Sequence, residues 1–177
     1  MDRAQDLLAG MIAVDWILAG LVLVGLVAGA AAGLGRVFGA LLYLLVALWL
    51  GRVLAPAALG WLPNTAQPDD PRALFVAYGA VTGGLLVLPV LARILARRGD
   101  GRKREDRGDH RVFGALVGGL AGAVLGVFVL PYLHEVAGLR AGWVGAPLPT
   151  AALRVADGLP WLYPEPHRRT LALAVGA

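Results

Sequence analysis

The residues able to do chemistry are few and scattered. His110, His134 and His167 are the three histidines, and they fall in separate segments. HEVAG at 134–138 begins like the zinc-protease helix, yet its fifth residue is Gly138, where the metal requires a second imidazole. The chain contains no cysteine and no serine, which excludes thiolate metal sites, disulfides and two common nucleophiles. No GxxxxGK loop offers a phosphate cradle. The expectation is a protein that is not an enzyme and needs neither a metal nor a cofactor.

Two ionisable residues are conspicuous for a different reason: Asp15 and Arg52 fall within long apolar segments. Of the 177 residues, 58% are hydrophobic and 16% charged, against about 25% charged in a soluble domain. A helix crossing the hydrocarbon core needs about 20 mostly apolar residues. Four segments qualify, at about 12–33, 37–59, 73–92 and 112–133. The spacing therefore predicts an all-α integral membrane protein with four transmembrane helices. Asp2 and Asp6 outweigh Arg3, so the first segment reads as a span and not as a cleaved leader.

Charge orients the spans. Residues 93–111 hold eight of the sixteen basic residues against four acids, which marks a cytoplasmic loop. An even number of spans then places both termini outside the cytoplasm. The pI near 10.1 follows from this topology, and nucleic acid is not expected as a partner. On this reading Asp15 and Arg52 stand roughly 27 and 22 Å above the inner ends of their helices. Intramembrane charges usually have partners. A short turn joins the first two helices, so an Asp15–Arg52 ion pair is expected, the alternative being that each reaches separately to headgroup and water beside Trp16 and Trp49.

The spans also carry glycines four residues apart: Gly25, Gly29 and Gly33 in the first, Gly79 and Gly83 in the third, Gly114, Gly118, Gly122 and Gly126 in the fourth. In lipid the helix is enforced by the need to pair every backbone group, and a missing side chain lets another helix come close. These nine are expected to pack helices within the bundle. A glycine-lined pore or an oligomer interface is the other reading. Pro89 is expected to bend the third helix.

Residues 1–133 thus form a four-helix membrane domain, and 134–177 a Pro-rich extracytoplasmic tail. Within the tail, TAALRVADGL at 150–159 is predicted to form a short amphipathic helix capped by Thr150. It should lie on the membrane surface or on the bundle, with partner binding as the alternative. The terminal LALAVGA is too short to span.

Three stretches resemble the colicin V production protein family of bacterial inner-membrane proteins. VDWILAG at 14–20 is similar to the family's opening, where an aspartate begins the first span. GAAAGLGRVFG at 29–39 resembles its glycine-rich inner turn, with Gly33 and Arg36 matching. DHRVFGALVGGLAG at 109–122 resembles the signature that opens the fourth span, matched by Asp109, Arg111, Gly114 and Ala115. The chain departs from the family at Ala31 and Ala32, where basic residues are usual, and at Val37, where an acid often follows the arginine.

The resemblance implies a multi-pass protein of the bacterial inner (cytoplasmic) membrane that scaffolds or assists toxin production, export or envelope homeostasis. Its implied partners are the lipid bilayer and either a second copy of the chain or a membrane or extracytoplasmic protein. A small pore or carrier subunit, oligomerising through the glycine-ladder helices, is the alternative function.

Overall fold

The structure, a computed structural model, describes residues 13–60, 70–96, 111–137 and 147–175. Six helices account for nearly all of them, with no strand among the described residues: α1 (Ala13–Ala32), α2 (Leu34–Leu59), α3 (Pro71–Ala96), α4 (Arg111–Ala137), α5 (Pro147–Gly158) and α6 (Glu165–Val175). Four of these, α1 to α4, are long and apolar enough to cross a membrane. At 1.5 Å per residue, the 20 residues of α1 cover about 30 Å, one hydrocarbon core. The helices α3 and α4 run one to four residues beyond their expected ends. Both continue through an internal proline, Pro89 and Pro131, as α2 does through Pro56.

Chain order does not dictate packing. Only Gly33 separates α1 from α2, yet these two helices touch little; α1 packs chiefly on α4, and α4 also meets α2. The helix α2 packs most closely on α3. The turn explains the separation. Gly33 has φ +77° and ψ 158°, a backbone conformation essentially closed to other residues, and it swings α2 away from α1. The fourth helix takes the place beside α1.

The C-terminal segment is part of the same core. Ala152, Ala156, Leu162, Tyr163, Leu171 and Ala174 are buried in one cluster with Val14, Leu48, Tyr78 and Leu130 of the spans. The amphipathic helix expected at 150–159 is α5. It starts at Pro147, so Thr150 lies inside its first turns and is not its cap. Proline suits the first helical position because its missing N–H would be unpaired there in any case. The helix α6 carries little sequence signal of its own: HRRTLALAV lacks the length of a span and opens on charge, and only docking defines its buried side, His167, Leu171, Ala174 and Val175.

Candidate functional site

The α1–α4 contact is a seam of backbone on backbone. A Cβ at Gly25 would overlap the Gly118 carbonyl, and one at Gly118 would overlap that of Gly25. Gly29 and Gly114 face each other in the same way; a Cβ at Gly114 would stand 2.6 Å from the Gly29 oxygen. Farther along, Gly122 meets the Leu21 carbonyl and Gly126 meets the Leu18 side chain at 2.7 Å. The 25–29 ladder and the 114–126 ladder are thus the two halves of one interface. A drift of about 40° per four-residue step lets the contact follow a crossing helix over three turns.

The remaining ladder glycines do other things. A Cβ at Gly79 would stand 2.5 Å from Tyr132 Cε1, so Gly79 admits a tyrosine ring from α4. A side chain at Gly83 would meet nothing among the described residues. Gly33 likewise has no neighbour there; its contribution is the turn described above. Two further close approaches lie outside the ladders. Gly51 receives the Thr82 side chain of α3, and Gly119 receives Leu26. The signal for the first was present, since Ala47, Gly51 and Ala55 recur every fourth residue along α2 and are all buried.

At the Gly33 end of the bundle, two of the stretches quoted above meet. Gly114 lies 3.2 Å, measured from its added Cβ, from both the Gly33 carbonyl carbon and the Leu34 nitrogen. Arg36 and Arg111 are exposed at this end, and Asp109 lies outside the described residues.

At the opposite end, the structure does not bring Asp15 and Arg52 together. The Asp15 side chain is fully buried, and its Oδ1 accepts the Leu148 N–H at 3.2 Å. The first N–H groups of a helix have no partner inside it. Asp15 therefore serves α5 as a cap supplied from another helix. Arg52 is exposed and donates to the Pro160 carbonyl. Both charges hold the C-terminal segment in place. The expected pair requires α1 and α2 to be close neighbours, and in the fold they touch little.

The segment is anchored most deeply at His167, which is wholly buried. Its Nε2–H donates to the Val127 carbonyl at 3.2 Å, across from the i+4 gap in which Pro131 has no N–H to offer. Five rings surround the imidazole: Phe128 and Tyr163 stacked at 6.0 and 5.2 Å, Tyr78 edge-on at 5.4 Å, and Phe75 and Tyr132 tilted at 6.0 and 5.7 Å. Burial pushes the imidazole down to about 4, although the Val127 bond opposes the shift. Among the described residues its Nδ1 has no hydrogen-bond partner. The ring is neutral, with its proton on Nε2.

Two tyrosines complete the anchorage. The Tyr163 hydroxyl donates to the Val124 carbonyl at 2.9 Å, and the Tyr78 hydroxyl donates to the Leu162 carbonyl at 3.1 Å. Burial raises the Tyr163 phenol above its ordinary range.

A four-span apolar bundle with a glycine seam and a docked C-terminal segment defines a multi-pass membrane protein. The chain belongs to a known family of this class: the model of the colicin V production protein family matches residues 14–145. No curated protein and no solved structure matches it. The match ends before α5, so the segment that carries His167 lies beyond it.

Proposed function

We propose that this protein is a non-enzymatic scaffold of the bacterial inner membrane that assists toxin production, export or envelope homeostasis by holding a partner protein against its bundle. Both termini then lie outside the cytoplasm, and the docked C-terminal segment is the extracytoplasmic face offered to that partner. The observation that carries this reading is the glycine seam. Its two ladders are occupied by each other within one chain, which takes up the surface that a pore or an oligomer would have used. The Gly33 end, where Arg36 and Arg111 are exposed, faces the cytoplasm on this reading.

The test is crosslinking in intact membranes followed by mass spectrometry, alongside flux measurements on reconstituted protein. A scaffold yields crosslinks from the exposed faces of α5 and α6 to other membrane or envelope proteins, and flux equal to that of protein-free vesicles. Ion or solute flux above that baseline would overturn it in favour of a pore. A reporter fused after Gly108 that is accessible from outside would overturn the orientation.

A further inference from the structure

A cleft of about 670 Å³ opens where α3 begins, α4 ends and α6 lies across them. Its walls include Arg72, Phe75, Val76, Glu135, Arg169 and Leu173. The cleft sits at the boundary of the apolar spans, because one span begins at Pro71 and another ends at Glu135. Headgroups lie at this depth when the bundle is in a bilayer.

The charges in the cleft are unequally engaged. Arg169 is held by Glu165 at 3.0 Å. Arg72 and Glu135, by contrast, form no ion pair among the described residues, with each other or with a third group. Among the described residues the cleft thus presents one cation and one anion that no ion pair takes up, with Asp70 bound to the Arg72 backbone N–H and not to its guanidinium. The lining also carries two apolar side chains open to the surroundings, Val76 at 57% and Leu173 at 74% exposure. So large an apolar exposure on α6, beside the spans, suits contact with acyl chains and not with water.

We propose that this cleft binds a phospholipid of the phosphatidylethanolamine type. The lipid phosphate pairs with the Arg72 guanidinium, whose planar fork matches two phosphate oxygens. The primary ammonium donates to the Glu135 carboxylate, and an acyl chain runs over Val76 and Leu173. This charge pattern distinguishes headgroups. A purely anionic headgroup leaves Glu135 opposed to a like charge, and a quaternary choline has no N–H to donate.

The full chain, purified in mild detergent, is equilibrated with equal amounts of phosphatidylethanolamine and phosphatidylcholine bearing identical acyl chains. Retained lipid is then read by native mass spectrometry. The expected ratio of ethanolamine to choline adducts is about fivefold, the size of one partly exposed ionic contact. Arg72→Gln loses adducts of both lipids, and Glu135→Gln keeps adducts but brings the ratio to about one. Leu173→Trp, which obstructs the chain path, lowers both lipids together. All three positions are exposed, so the fold is retained. Wild-type adducts that mirror the supplied mixture, or variants that retain the wild-type ratio and amount, overturn the site. Equal retention of chain-free glycerophosphoethanolamine overturns the lipid as its ligand.

Discussion

Gly25 and Gly118 meet backbone to backbone, so that a methyl group on either would overlap the carbonyl oxygen of the other. Neither carbonyl can turn aside without breaking its helix. Overpacking of this kind costs about 1–3 kcal/mol. Gly118→Ala and Gly25→Ala are each expected to lower stability by that amount. Gly83→Ala, which enters open space, is expected to change it by no more than about 0.5 kcal/mol. Unfolding of the detergent-solubilised protein by SDS titration measures all three. Equal behaviour of Gly83→Ala and Gly118→Ala would refute the seam.

Gly33 makes a different prediction, because its constraint is conformational. At φ +77° and ψ 158° even asparagine, which tolerates the left-handed helical region, is unfavourable. Gly33→Ala and Gly33→Asn should therefore both cost on the order of 1–3 kcal/mol. If asparagine restores the stability lost with alanine in the same titration, the turn is not the one described.

His167 couples docking of the C-terminal segment to pH. In the fold the imidazole titrates at about 4, against 6.5 when free. Between these values the unfolded chain takes up a proton that the folded chain refuses, so stability rises with pH through this window. Above pH 6.5 no stability is lost on this account, and as pH falls the loss grows to roughly 3 kcal/mol at pH 4. His167→Phe fills the same cage without a titrating group and should flatten this part of the profile. It gives up the Val127 bond, so it should be less stable than wild type at pH 7 by about 1 kcal/mol. Hydrogen exchange of the α6 amides at pH 7 and 4.5, corrected for the intrinsic rate, reads the difference. Identical slopes for the two proteins would remove His167 as the cause.

Asp15 is expected to act on a helix more than 130 residues away in the chain. Asp15→Ala leaves the Leu148 N–H without its acceptor in a partly buried position, at a cost of about 1–3 kcal/mol. Asp15→Asn keeps a side-chain carbonyl in place and should cost less. The informative readout is exchange at the start of α5: faster in the alanine variant, close to wild type with asparagine. An effect confined to α1 would show that the cap is unimportant.

Arg52 gives a parallel test at the Pro160 carbonyl. Arg52→Gln can still donate there and should hold the segment, whereas Arg52→Leu should loosen the α5–α6 connection. Fluorescence of Trp161, which is exposed beside this contact, follows that loosening. The same response in both variants would point to charge and not to the hydrogen bond.

Much of the architecture was legible from local physics. The length and continuity of the apolar runs determine four spans, because a bilayer admits no shorter helix and no unpaired backbone. The spacing of Gly25, Gly29, Gly114, Gly118, Gly122 and Gly126 marks grooves that another helix can enter closely, because a missing side chain lets backbone approach backbone. Family membership could be read from the stretches around Asp15, Gly33 and Gly114.

Which surfaces meet was decided by tertiary structure alone. Spacing along a helix states that a groove exists and is silent about what fills it. Adjacency in the chain suggests α1 against α2, whereas the turn at Gly33 and the complementarity of the Gly25–Gly29 and Gly114–Gly126 ladders put α1 against α4. That exchange of neighbours separated Asp15 from Arg52 and gave each a partner in the C-terminal segment. The buried environment of His167 was equally hidden. Its five rings come from α3, α4 and the connection before α6, and each is an unremarkable aromatic in its own stretch of sequence. A cage made of distant residues leaves no period or motif behind, and only the folded chain assembles it.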